Sequence, residues 1–192
     1  MRYYVEITLL PGVDVGLYFL WEKLYQRIHQ VFVEIQNSKG EVPIGVSFPE
    51  YSLSPPQLGN KLRLFALEEN IIQKLDIKSK LQVFNEYIHV TGIRPVPAST
   101  NRYCINRRYQ PKTGKERLAR RKAKRSALSF TEALEAVKGF QDNKSNLPYI
   151  FIKSLSTGKR FPLFIDKSES TKTDSFVFNT YGLGTTSSVP EF

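Results

Sequence analysis

The stretch Arg2-Tyr3-Tyr4-Val5-Glu6-Ile7-Thr8-Leu9 sets how the chain begins to fold. Its residues alternate, with Tyr3, Val5, Ile7 and Leu9 on one side and Arg2, Tyr4, Glu6 and Thr8 on the other, the pattern of a half-buried strand. Pro11-Gly12 breaks it. From Val15 to Ile35 the apolar residues Leu17, Leu20, Leu24, Ile28, Phe32 and Ile35 recur at three- and four-residue spacings, which predicts a long amphipathic helix. Asn37-Ser38-Lys39-Gly40 reads as a turn and Pro43 to Phe48 as a strand. Lys61 to Leu67 alternates again, Glu68 to Leu75 fits a short helix, and Leu81 to Ile93 carries the alternation of a strand. The order β-α-β-β-α-β is the split βαβ, or ferredoxin-like, arrangement, with both helices on one face of an antiparallel sheet. The fold class expected is α+β.

Pro95-Val96-Pro97-Ala98-Ser99-Thr100 stiffens an extended connection, so the expected division is a ferredoxin-like domain over 1–97 and a smaller α+β domain over 98–192. In the second, Thr113 and Glu116 have the T-x-x-E spacing of a capping box and open a helix over 114–125. Ser129 and Glu132 repeat the device for a helix through about Val137 that stops at Gly139. Pro148 to Lys153, Arg160 to Asp166 and Ser175 to Thr180 read as strands, with Ser156-Thr157-Gly158 turning between the first two.

The formal net charge of +10 is concentrated. Asn101 to Arg125 hold eleven Lys and Arg against one acid, Glu116, which leaves the rest of the chain neutral. So dense a block repels itself until a polyanion screens it, and a nucleic acid is the partner that fits. A helix lying on an anionic membrane needs large apolar residues opposite its cations, whereas this one offers only Leu118, Ala119 and Ala123. The balance of 41% hydrophobic to 24% charged residues is globular, and it excludes disorder as the main state. One cysteine, Cys104, and two histidines, His29 and His89, cannot build a Cys/His zinc site or an internal disulfide. No metal or small-molecule cofactor is therefore expected. With no apolar run near the ~20 residues of a membrane span, the expectation is a soluble protein in the cytoplasm.

Arg117, Arg120, Arg121 and Lys124 follow the i, i+3, i+4, i+7 rule and line one helix face, with Arg125 beside them. Such a row neutralises successive phosphates and releases their counterions, giving salt-sensitive affinity without sequence readout. Just ahead of it, Arg107, Arg108 and Gln110 lie in a stretch where an Arg can grip a guanine bidentately and a Gln an adenine, although a loop glutamine bonding water is the simpler reading of Gln110. The aromatic signature of the RNA-recognition motif is absent.

Five fragments extend this reading: Arg27-Ile28-His29-Gln30; Gly45-Val46-Ser47-Phe48-Pro49; Arg108-Tyr109-Gln110 followed by the basic helix; Ser154-x-Ser156-Thr157-Gly158-x-x-Phe161; and Tyr181-Gly182-Leu183. Their order resembles the type I-F CRISPR repeat-RNA endoribonucleases over nearly the whole chain. The resemblance implies an arginine-rich helix docked on the repeat hairpin, with Arg117, Arg120, Arg121, Lys124 and Arg125 holding the stem and Lys112 also on the RNA. It implies that Arg108 and Gln110 read bases near the foot of the stem, and that Phe161 stacks on the terminal pair. His29 and Ser154 would carry the chemistry, with Tyr181 helping to place them. The RNA's own 2′-hydroxyl would be the nucleophile, His29 its base and Ser154 its aligner. From the turn composition alone, backbone amides around Ser156-Thr157-Gly158 are expected to stabilise the phosphorane charge. The partners implied are the CRISPR repeat stem-loop, the crRNA cut from it and the other subunits of a surveillance complex.

By spacing alone His29 adjoins the apolar stripe at Ile28 and Phe32 and reads as a histidine at the edge of the core; the resemblance assigns it the other role. His89, within a strand pattern, reads as structural. Two rivals stay open: a hairpin-binding module that does not cut, and a basic DNA-binding or ribosome-associated protein with no preference for a stem-loop.

Overall fold

The computed structural model describes residues 1–111, 114–139 and 145–192. Strand β1 (Tyr3–Leu9) is followed by α1 (Leu17–Ile35), β2 (Glu41–Val42), β3 (Gly45–Ser47), a short ribbon of β4 (Ser52–Leu53) with β5 (Pro56–Gln57), and β6 (Lys61–Ala66). Helices α2 (Glu69–Leu75) and α3 (Ile77–Lys80) precede β7 (Ile88–Val90), β8 (Arg94–Pro95) and β9 (Arg102–Tyr109). Then come α4 (Lys115–Ser126), α5 (Phe130–Glu135), β10 (Tyr149–Lys153), β11 (Arg160–Ser170), β12 (Phe178–Asn179) and β13 (Val189–Glu191). The described strand pairs are antiparallel and the class is α+β. Contacts divide the chain into two compact units, one of Met1–Tyr109 with Leu147–Phe192 and one of Gln110–Asn146. This grouping runs along different lines from a division at residue 97, because β9 pairs with β11 and β13 inside the first unit.

In the first unit one sheet has the order β3-β6-β1-β7, with β8 also on β1, and Val5 stands opposite Leu64 in the β1–β6 register. Alternation puts Val5, Ile7, Leu9, Leu62 and Leu64 in the core. Helix α1 adds Leu20, Leu24, Tyr25, Ile28 and Phe32, its spacing matching the period of 3.6. Each such side chain, fully buried, stabilises by about 1.5–3 kcal/mol relative to exposure. The helix begins at Leu17, two residues later than expected, and the stripe loosens at its ends, where Ile35 is exposed. Tyr4, on the side of β1 opposite Val5 and Ile7, is also buried: the Phe65 ring lies tilted against it at 5.8 Å and the Phe192 ring meets it edge-on at 5.1 Å.

A second sheet in this unit has the order β10-β11-β9-β13. Its inner strand β9 lies in a stretch read above only for charge. Cys104, Ile105 and Asn106 are buried there, and burial pushes the Cys104 thiol up to about 11. Strand β11 runs to Ser170 rather than Asp166, since β9 pairs along it from Phe164↔Tyr109 to Ser170↔Tyr103. The expected strand over 81–93 is corrected to a 3-10 turn at Gln82–Phe84 and the short β7. Leu81 is buried at the end of α3, and its carbonyl accepts from the Phe84 N–H, so the chain coils before it extends. The strand expected over 175–180 contracts to β12, which pairs with β2.

In the second unit α4 exposes Arg117, Arg120, Arg121, Lys124 and Arg125, while Ala119 is buried. Gly114 occupies the N-cap position of α4; Thr113, named above as the cap, and Lys112 lie outside the described residues. The Ser129–Glu132 capping box is present, and α5 ends at Glu135, short of Val137.

Candidate active site

His29 sits on the buried stripe of α1 and is 6% exposed. Its Nδ1 lies 2.8 Å from the Thr180 carbonyl oxygen. A carbonyl only accepts, so Nδ1 carries the proton and the neutral ring keeps its lone pair on Nε2. Among the described residues no hydrogen bond reaches Nε2, nor does it fall among the buried polar atoms without partners. The Tyr181 ring stacks on the imidazole at 4.2 Å and 16°. Burial holds the His29 pKa below the ordinary imidazole value; the Thr180 carbonyl pushes it up, and the nearby Arg108 charge pushes it down. The ring is therefore neutral at pH 7.

Arg108, at the end of β9, places its guanidinium 5.3 Å from the Phe161 ring and 5.4 Å from the Tyr181 ring. Burial raises the Tyr181 pKa against the opposing pull of Arg108, so the phenol stays protonated. His29, Tyr181, Arg108 and Phe161 thus form one cluster from α1, the loop after β12, β9 and β11.

Ser154 lies at the turn after β10. Its Oγ accepts from the Thr157 N–H at 3.2 Å and stands 3.2 Å from Ser156 Oγ. Among the described residues no hydrogen bond joins Ser154 to His29. The two elements nonetheless meet, because the Lys153 N–H donates to Gln26 Oε1 at 2.8 Å, one turn before His29 on α1. Gln110 and the exposed cations of α4 belong to the second unit, and Lys112 lies outside the described residues. His89 is exposed on β7. Among the described residues no three His, Cys, Asp or Glu side chains gather where they could hold a metal ion, and no helix is long and apolar enough to cross a membrane.

Sequence reasoning missed the residues that hold the Thr180–Tyr181 loop. Asn179 Oδ1 accepts from the Tyr181 and Leu183 N–H groups at 2.8 and 3.2 Å, forming an Asx turn. The Tyr25 hydroxyl donates to the Tyr181 carbonyl at 2.8 Å. Asn106 Nδ2 donates to the Val46 carbonyl, and the Asn106 backbone carbonyl accepts from the Gly184 N–H. Gly182 has φ +70°, and a Cβ there would stand 2.4 Å from Val46 Cγ1 and 2.9 Å from Phe32 Cε2. The run Asn179-Thr180-Tyr181-Gly182 was the available signal, an asparagine opening a turn closed by a left-handed glycine.

The class these features define is an α+β protein with a stacked imidazole–phenol pair beside a guanidinium and a separate basic helix. The family model described as CRISPR-associated protein (Cas_Csy4) matches residues 4–192, and the chain belongs to that family. It is 30% identical over 193 residues to the CRISPR-associated endonuclease Cas6/Csy4 of Escherichia coli (strain UTI89 / UPEC), with all of both chains covered. It is 31% identical over 193 residues to the CRISPR-associated endonuclease Cas6/Csy4 of Pseudomonas aeruginosa (strain UCBPP-PA14), again with both chains fully covered.

Proposed function

We propose that this protein is an endoribonuclease that cuts CRISPR precursor RNA at the 3′ base of the repeat hairpin and keeps the mature guide within a surveillance complex in the cytoplasm. The sheet order β3-β6-β1-β7 with α1 and α2 supports a ferredoxin-like arrangement for the part that carries His29. RNA brings its own nucleophile, so the reaction needs no metal. His29 Nε2 takes the proton of the 2′-hydroxyl, the oxygen attacks the adjacent phosphorus, and the bond to the 5′-oxygen breaks. The leaving oxygen is protonated by water, giving a 2′,3′-cyclic phosphate and a 5′-hydroxyl. Ser154 aligns the ribose hydroxyl, the Ser156–Thr157 turn meets the phosphate, and Tyr181 holds the imidazole plane. Arg108 and Gln110 read bases at the foot of the stem, Phe161 stacks on its last pair, and Lys112 with the α4 cations holds its phosphates.

The observation that carries this reading is the Nδ1–Thr180 contact under the Tyr181 ring, because it fixes the tautomer a general base requires. Repeat hairpin RNA in EDTA should be cut, while a copy with a single 2′-deoxy sugar before the cut should stay intact. Equal cleavage of both, or strict dependence on magnesium, overturns the mechanism. The second reading, a hairpin-binding module without cleavage, draws on the burial of His29 and the missing Ser154 contact. It predicts that His29→Ala and Ser154→Ala change nothing.

A further inference from the structure

Away from the imidazole cluster, the start of α1 and the outward side of β10 expose aromatic rings that the proposed reaction does not use. Tyr18 is 73% exposed, Phe19 55% and Tyr149 40%. Two hollows share this surface. One, of about 170 Å³, is lined by Tyr18, Trp21, Pro56, Leu58, Pro148 and Tyr149. The other, of about 340 Å³, is lined by Tyr18, Phe19, Glu22, Tyr149, Phe151 and Arg160. A 150 Å³ apolar cavity admits a benzene ring, so the first hollow has room for one planar ring.

Cations stand among these rings. The Arg160 guanidinium lies 3.5 Å from the Phe151 centroid and is forked by the Glu22 carboxylate at 2.7 and 3.3 Å. Lys23 lies 5.2 Å from the Phe19 centroid, and Lys153 pairs across the strands with Arg160. Three cations against one acid, interleaved with ring faces, make a surface that stacks bases and attracts their phosphates. With Arg160 paired to Glu22, Lys23 and Lys153 remain in excess, and that excess of one sign favours an anionic partner.

Register supplies a direction. Cross-strand partners share a face, so Phe161, Leu163, Ile165 and Arg108 lie on one side of the second sheet, and Lys153, Phe151, Tyr149 and Arg160 on the other. The first side holds Arg108 and Phe161, assigned above to the foot of the duplex. From Ser154 back to Tyr149 the strand covers roughly 17 Å. Ser154 directly follows the last residue of this strand, so unpaired RNA that leaves the scissile phosphate in the 3′ direction can run along it.

We propose that this aromatic–cationic surface binds the single-stranded nucleotides immediately 3′ of the cut, with one base in the hollow beside Trp21. The proposal rests on the endoribonuclease reading, and its test separates the two. Affinity is measured for a 2′-deoxy-blocked repeat hairpin with no tail, with a six-nucleotide 3′ tail and with a six-nucleotide 5′ tail. The 3′ tail should tighten binding by roughly tenfold, the factor expected when base stacking supplies about 1.4 kcal/mol. That ratio should fall to near one in Tyr18→Ser with Tyr149→Ser, and should persist in Tyr18→Phe with Tyr149→Phe, which keep the rings. Trp21 is the sole tryptophan, so its fluorescence should respond to free hexauridylate in the wild type and not in the serine variant.

Cleavage of the hairpin with no 3′-tail advantage and no fluorescence response overturns the surface and leaves the nuclease standing. An advantage from the 5′ tail alone overturns it as well. Concentration-dependent self-association, lost in the serine variant and with no tail effect, makes the patch a protein interface and overturns the proposal. A hairpin that is neither bound nor cut, with Trp21 still answering to hexauridylate through Tyr18 and Tyr149, defeats the nuclease reading while the single-strand surface holds.

Discussion

At the scale of single residues, the proposed chemistry turns on one imidazole, whose Nδ1 faces the Thr180 carbonyl and leaves Nε2 for the reaction. Removing it in His29→Ala should slow single-turnover cleavage by roughly 10²–10⁴-fold, the usual contribution of a general base, while hairpin affinity measured by filter binding holds. The pH profile follows from the direction of its pKa shift. Burial and Arg108 favour the neutral ring, so the acid limb of kcat/KM should be centred below 6.5. The linked stability has the same sign: a folded-state pKa below the unfolded one contributes stability at neutral pH that is lost as pH falls through the folded value. An acid limb centred above 6.5 counts against His29 as the base. His29, Arg108, Phe161 and Tyr181 were all nameable from short fragments, and the structure brings them together. Tyr25, Asn106 and Asn179 were not, because they act by bonding the backbone of distant segments. Tyr25, for example, reaches Tyr181 across 156 positions, a link with no periodic trace in sequence.

At the scale of elements, the loop after β12 is the part most exposed to a small change. Gly182→Ala adds a methyl group 2.4 Å from Val46 Cγ1 at a φ that L side chains avoid. Left-handed strain of ~1–2 kcal/mol and overpacking of ~1–3 kcal/mol act together. Chemical denaturation should show a loss of about 2–5 kcal/mol, and Asn179→Ala a loss of about 1–3 kcal/mol as two loop amides lose their acceptor. Unchanged midpoints in both would show that the loop is not held as described. For α4, Arg120→Ala with Arg121→Ala should flatten the salt dependence of hairpin binding by up to about two units of slope, one per phosphate contact. An unchanged slope removes those two residues from the interface. The elements that could be read were those whose pattern ran undisturbed: β1 by alternation, α1 by its stripe, α5 by its capping box. Strand β9 went unseen because Arg102, Arg107 and Arg108 at its ends hid a buried centre at Cys104, Ile105 and Asn106. The long strand expected at 81–93 failed for the opposite reason. Val83 and Tyr87 alternate convincingly, yet the hydrogen bonds around Leu81 and Phe84 close a turn.

At the scale of the whole molecule, stability and charge are distributed unequally between the two units. Met1–Tyr109 with Leu147–Phe192 contains the large buried side chains, among them Tyr25, Phe32, Phe48 and Phe65. Even its last residues are anchored, since Glu191 pairs with Lys167 and Arg102, and the Arg63 guanidinium lies 4.1 Å from the Phe192 ring. Among its described residues, Gln110–Asn146 buries only two side chains, Ala119 and Ala133, and carries most of the concentrated positive charge. Within α4, Arg117 and Arg121 repel at i, i+4, and the exposed pair of Arg120 with Glu116 at 3.4 Å offsets little of that. A helix so placed has little apolar burial to oppose its opening. Amide hydrogen exchange should therefore show α4 exchanging well before β1, β6 and β9. Adding blocked hairpin RNA should slow exchange in α4 at least tenfold while β1 and β6 barely change, since a bound polyanion removes the repulsion that opens the helix. Protection in α4 equal to that of β1 without RNA would mean that the charge block is stabilised by packing alone. The need for a polyanion, read from eleven cations against one acid, would then lose its physical basis.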